Sequence, residues 1–115
     1  MDVRKIDDRL SVGPQITPAE VTVLRRRGFS AIICNRPDDE DPGQPNFAEI
    51  ATAAAAQGLE ALHIPVVPGA MTDAQVGEFG VALRELPGPV YAYCRTGGRA
   101  SALASKAGDA GPPAS

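Results

Sequence analysis

Pro89-Val90-Tyr91-Ala92-Tyr93-Cys94-Arg95-Thr96-Gly97-Gly98-Arg99-Ala100-Ser101 joins an apolar, β-rich run to an alanine-rich helical one through a cysteine and a short glycine-containing loop. A strand that ends at Cys94 and turns at once into a helix beginning near Arg99 leaves several backbone N–H groups facing one concavity, without carbonyl partners. Such a cup holds anions. The same field favours thiolate over thiol, because cysteines at helix N-termini or beside arginine ionise well below the free value of about 8.5. Cys94 is therefore the candidate nucleophile, and Arg99 the candidate two-pronged donor to an oxyanion. The binding residues expected beside them are Arg95, Thr96, Gly97 and Gly98, the glycines permitting close approaches that a side chain would block.

Working outward, the same rhythm of capped helix and apolar strand recurs three times. Thr17-Pro18-Ala19-Glu20 combines an N-cap threonine, proline at the first helical position and glutamate three residues after the cap, so a helix should run from there to Gly28. Arg25-Arg26-Arg27 closes it, where cations complement the helix dipole. The run Phe29 to Cys34 reads as a strand covered on both faces. Asn46-Phe47-Ala48-Glu49 starts a second helix, ending at Gly58 before a strand from Leu59 to Val67. Thr72-Asp73-Ala74-Gln75 caps a third, with Val76, Phe79, Leu83 and Leu86 on one face, and Pro87-Gly88 ends it. Ahead of all this, Val3 to Ile6 and Leu10 to Val12 read as two short strands around the turn Asp7-Asp8-Arg9.

Alternation of this kind predicts an α/β fold, with a mostly parallel central sheet and helices on both faces. Ligands of such sheets bind beyond the carboxyl ends of the strands, so the loops at 35–45, 68–71 and 94–99 should converge there. A single domain over residues 1–107 is expected, with 108–115 as a tail, since Gly108-Asp109-Ala110-Gly111-Pro112-Pro113 has tail composition.

The totals narrow the function. A chain of 115 residues is one domain, and 43% apolar with 22% charged residues is ordinary for a globular protein. A net charge of −3, with no basic stripe interleaved with aromatics, argues against nucleic acid as a partner. No apolar stretch approaches the roughly 18 residues of a membrane span, and nothing after Met1 resembles a secretory core, which predicts a cytoplasmic protein with no membrane partner. Two cysteines and one histidine do not supply a zinc site, and no metal or other cofactor is expected.

The loop YCRTGGRAS, together with Ile33-Cys34-Asn35-Arg36-Pro37-Asp38, Pro42-Gly43-Gln44-Pro45 and His63-Ile64-Pro65-Val66, resembles a bacterial family described as the phosphatase-like domain of beta-lactamase hydrolase-like proteins. The resemblance runs from Met1 to about Ser105. It implies the fold of dual-specificity and tyrosine phosphatases, with the cysteine strand central and close to the strand ending at Cys34, and it implies sulfur transfer as an activity commonly assigned to such domains. Relatives usually continue with more helical sequence, so the C-terminal part looks shortened, and one sheet face is expected to need cover from a second copy in a homodimer.

Cysteine-dependent phosphatases place a histidine before the cysteine and set the arginine one residue further along. Here Tyr93 precedes Cys94 and four residues separate Cys94 from Arg99. That shorter loop is similar to the one in rhodanese-type sulfur transferases. The loop Val67-Pro68-Gly69-Ala70-Met71 also carries no carboxylic acid to protonate a departing alkoxide, help worth about 100- to 10,000-fold. A sulfite or thiolate leaving group needs no such proton. The leading expectation is therefore sulfane-sulfur transfer from thiosulfate or a low-molecular-weight persulfide such as glutathione persulfide, through a Cys94 persulfide, to a thiol acceptor. A phosphatase acting through phosphocysteine is the first alternative; a non-catalytic persulfide-binding or docking module, serving a sulfur-oxidising partner protein, is the second.

Other residues carry two readings each. Cys34 either closes a buried strand or supplies a second thiol. Arg36 either binds the anionic donor or pairs with nearby acids to shape its loop. The acidic run Asp38 to Asp41 reads as a solvated loop, Asn35 and Gln44 as turn caps, and His63 as a strand-edge residue. Tyr91 and Tyr93 should share a sheet face, with Tyr93 packing there or orienting Cys94 through its hydroxyl.

Overall fold

The computed structural model describes residues 1–109. Three capping boxes start three of its helices. Thr17, Asn46 and Thr72 each accept the N–H of the residue three positions on, at 3.3, 2.9 and 3.1 Å, and Glu20, Glu49 and Gln75 reach back to the cap N–H, each at 2.9 Å. These open α1 (Pro18–Arg26), α2 (Phe47–Ala56) and α3 (Asp73–Glu85). The last helix, α4 (Gly98–Asp109), begins on the glycine pair of the cysteine loop. Gly108 and Asp109 are helical, two residues beyond the expected domain boundary; the rest of the expected tail, 110–115, lies outside the described residues.

Five strands form one sheet: β1 (Arg4–Lys5), β2 (Leu10–Gly13), β3 (Ala31–Cys34), β4 (Glu60–His63) and β5 (Val90–Tyr93). Their order is β1-β2-β5-β3-β4, antiparallel only between β1 and β2. The expected α/β fold is present, and β5, the strand that delivers Cys94, is central. Its register sets Tyr93 beside Gly13 on one side and Cys34 on the other, so three strand ends meet at one place.

Strand alternation sorts the core into two layers. Leu10, Val12, Ala31, Ile33, Val90 and Ala92 face α3 and α4, where Phe79, Ala82, Ala100 and Leu103 meet them. Ile32, Cys34, Tyr91 and Tyr93 face α1 and α2, against Val21, Leu24, Ile50 and Ala54. Tyr91 and Tyr93 do share a face, and the Tyr91 hydroxyl donates to the Pro14 carbonyl at 2.9 Å. Leu10, Val12, Val90 and Ala92 are at most 2% exposed within the single chain, so α4 covers the face expected to lie short of helix.

One element departs from expectation. The strand read over Leu59 to Val67 pairs only over Glu60–His63, at the sheet edge, with its residues alternately exposed and half-buried. Pro65 has no N–H to continue the ladder. Ile64 and Val66 still donate to the carbonyls of Cys34 and Asn35, at 2.9 and 3.1 Å, which carries this segment towards the cysteine loop.

Candidate active site

The loop that follows β5 closes around its own sulfur. Cys94 Sγ accepts the N–H of Gly97 at 3.1 Å and of Arg99 at 3.3 Å. Gly97 stands at φ +98°, a conformation that points its N–H inward and that L side chains rarely adopt. It also lies against neighbouring chain: a Cβ there would sit 3.2 Å from Gly13 backbone and collide with the Arg4 guanidinium. Arg95, Thr96 and Gly98 form the exposed rim, and Cys94 lies at the floor, 1% exposed. Burial by itself would raise the thiol pKa, but the N–H groups of Ala100, Thr96, Arg99 and Gly97 outweigh it, and the Cys94 thiol ionises below its ordinary value. Of the N–H groups expected to face one concavity, those of Gly97 and Arg99 point at the sulfur.

Arg99 is aimed by partners from other elements. Its Nη1 donates to Glu40 Oε2 at 2.6 Å and to the Val66 carbonyl at 2.8 Å, and its Nη2 donates to Glu40 Oε1 at 2.8 Å. The Arg99 guanidinium, with Arg36 beside it, holds the Glu40 carboxyl below the usual carboxylate range. Asp38 and Asp39 are exposed, as expected of a solvated loop, but the Glu40 side chain is only 18% exposed and departs from that reading. Glu40 anchors Arg99, and Asp41 Oδ2 lies 3.0 Å from Arg95 Nε. Sequence reasoning offered these acids as partners of Arg36 only, and passed over their contacts with Arg99 and Arg95. The signal that could have found them is Arg36 followed by an acid at i+4, because an arginine folded inside needs a carboxylate.

Arg36 is corrected as a ligand-binding arm. It is 3% exposed, and every guanidinium nitrogen is occupied: Nε by Glu40 Oε1 at 2.9 Å, Nη1 by Gln15 Oε1 at 3.1 Å and Nη2 by Asp41 Oδ2 at 2.6 Å. Of its two readings, pairing with the acids is the one the structure contains. Cys34 is likewise corrected as a second thiol. Its side chain lies in the α1/α2 core, it donates to the Arg36 carbonyl at 3.3 Å, and burial pushes its thiol pKa up. Tyr93 points into that same core, so it packs rather than orienting Cys94. Gln44 holds its turn through the Pro37 carbonyl at 2.9 Å, whereas buried Asn35, read as a turn cap, instead donates to the Ile64 carbonyl of the neighbouring segment at 3.0 Å, and His63 Nε2 lies 2.9 Å from the Arg36 carbonyl. Among the described residues no cluster of metal ligands occurs, and no helix is long and apolar enough to cross a membrane.

Residues 2–111 match the family model described as beta-lactamase hydrolase-like protein, phosphatase-like domain. The chain belongs to this family. A beta-lactamase hydrolase-like protein of Agrobacterium fabrum is 38% identical over 103 residues, 90% of this chain and 24% of the relative. One from Xylella fastidiosa is 38% identical over 104 residues, again 90% and 24%. The phosphatase-like domain thus spans about a quarter of the length of these curated relatives. Among solved structures, a Neisseria meningitidis protein described as a candidate phosphatase is 36% identical, with a TM-score of 0.88 over 98% of this chain and 81% of its own. The fold and family descriptions favour the phosphatase alternative, and none of them supports the sulfur-transfer expectation.

Proposed function

We propose that this phosphatase-like domain is a cysteine-dependent phosphatase in which Cys94 forms a phosphocysteine, on substrates whose leaving group departs as a stable anion. The supporting observation is the cup itself, a sulfur held by the N–H groups of Gly97 and Arg99 with an arginine fixed beside it. In the first step the Cys94 thiolate attacks phosphorus. The S–P bond forms as the P–O bond to the leaving group breaks, and that oxygen keeps the electron pair. Loop N–H groups and Arg99 stabilise charge on the remaining phosphoryl oxygens. Water then attacks phosphorus, the S–P bond breaks, and phosphate leaves with the thiolate restored and a proton passed to solvent.

Leaving-group choice follows from the acids around the cup. Glu40 is held ionised by Arg99 and Arg36, so at neutral pH it has no proton to donate. The loop Val67–Met71 has no acid, and Asp73 lines the groove between α3 and α4 with Gly80 and Ala107. Without assistance worth about 100- to 10,000-fold, alkyl phosphates should react far more slowly than aryl phosphates or phosphoanhydrides.

Sulfur transfer stays as a second reading because of one specific feature, the four-residue spacing between Cys94 and Arg99. There the thiolate would attack the outer sulfur of thiosulfate, forming one S–S bond and breaking another to release sulfite, before an acceptor thiol removes the sulfur. A parallel assay separates the two. Phosphate release from 4-nitrophenyl phosphate, lost in Cys94→Ser, with no sulfur adduct after thiosulfate, supports the phosphatase. A sulfur adduct on Cys94 with no phosphate release from any aryl phosphate overturns it in favour of the second reading.

A further inference from the structure

Arg36 is the only fully buried charged side chain among the described residues, and its guanidinium bonds go to Glu40, Gln15 and Asp41. It touches both acids that hold the cup's arginines. Glu40 Oε1 is shared between Arg36 Nε at 2.9 Å and Arg99 Nη2 at 2.8 Å. Asp41 Oδ2 is shared between Arg36 Nη2 at 2.6 Å and Arg95 Nε at 3.0 Å. Each carboxylate oxygen is thus divided between a buried arginine on one side and a loop arginine on the other.

We propose that Arg36 is a positioning residue that sets the anion affinity of the cup, by taking the share of Glu40 and Asp41 charge that would otherwise cancel Arg99 and Arg95. Three arginines and two carboxylates leave one net positive charge in the cluster, which the Cys94 thiolate balances. With Arg36 gone, two carboxylates would neutralise two loop arginines one for one, and both thiolate and bound oxyanion would lose their counter-charge. The other charged or titratable groups around this cluster include Asp38 on the same loop, His63 on β4, Cys34 on β3, Tyr93 on β5 beside Cys34 and Gln15, and Arg4 on β1, whose Nη2 lies 3.5 Å from the Thr96 carbonyl. Gln15 is neutral and ties Arg36 to the loop after β2, its own N–H donating to the Arg95 carbonyl at 3.3 Å. The inference rests on the reading of the cup as an oxyanion site, and it holds for either chemistry at Cys94.

The test is the pH profile of Cys94 alkylation by iodoacetamide, followed by peptide mass, with and without inorganic phosphate as the protecting ligand. Wild type, Arg36→Met, Arg36→Lys and Asp41→Asn are compared, with folding checked by circular dichroism. Arg36→Met should move the alkylation midpoint upward and weaken phosphate protection by roughly tenfold, the scale of one unit charge lost at this range. Arg36→Lys, which keeps the charge, should recover most of both. Asp41→Asn should do the reverse of Arg36→Met, tightening phosphate, and it decides the matter should Arg36→Met not fold. The proposal is overturned by unchanged profiles in Arg36→Met, by Arg36→Lys as impaired as Arg36→Met, or by Asp41→Asn that fails to tighten phosphate. If phosphate never protects wild type, the oxyanion reading fails, while the midpoints still decide the role of Arg36.

Discussion

Cys94 carries two opposing influences, and their balance is measurable. Burial disfavours its thiolate, and the surrounding N–H groups favour it more strongly. Alkylation of Cys94 should therefore reach its plateau below the pH at which a free thiol, ionising near 8.5, reaches its own, and should fall only as pH drops through the depressed midpoint. Cys34, its pKa raised, should stay unreactive over the same range in the folded protein. At Arg99 both Nη atoms are held, on two carboxylate oxygens and one carbonyl, which fixes the plane of the fork and leaves Nε and one Nη2 N–H for a bound oxyanion. A lysine has one nitrogen for those three acceptors. Arg99→Lys is expected to lower kcat/KM for an aryl phosphate by at least about 100-fold, the usual scale for losing a fixed oxyanion donor, with most of the loss in kcat.

At the scale of elements, the loop between β5 and α4 separates its two glycines sharply. Gly97 has positive φ and close backbone neighbours, whereas a Cβ on Gly98 would meet only Thr96 Oγ1, at 3.6 Å. Gly97→Ala should abolish turnover and destabilise the fold by about 1 kcal/mol or more; Gly98→Ala, at the start of a helix, should lie within about 0.5 kcal/mol of wild type. Urea unfolding of the two variants checks both values. Helix starts were legible in the sequence because a capping box is local: cap and partner stand three residues apart, and all three pairs close as read. The cup was legible for the same reason, with sulfur and donors inside one short segment. The anchoring of Arg99 was not, since Glu40 acts across 59 positions of chain, and an acid in a run of four looks like any solvated acid until Arg36 folds inward. Nor does local pattern say which strand lies at the sheet edge, and β4 read as longer than it is.

For the whole molecule, the charge cluster links stability to pH. Glu40 has a folded pKa below its unfolded one, so its contribution is fully present above the ordinary carboxylate pKa and is lost as pH falls through the lowered value. The urea midpoint of wild type should therefore decline through the acid range, and Glu40→Gln should show a shallower decline there. The three strand ends that meet at the cup come from the first, second and last parts of the chain, and the Gln15–Arg36–Glu40–Arg99 chain of contacts ties them together. Unfolding of any one should therefore disarm Cys94. All of this chemistry depends on that sulfur as the attacking atom. Rapid acid quench after mixing with 4-nitrophenyl phosphate, then mass analysis of the Cys94 peptide, tests it most directly. One phosphoryl group on Cys94 in wild type and none in Cys94→Ser is the predicted result; phosphate release with Cys94 unmodified, or release that persists in Cys94→Ser, contradicts it.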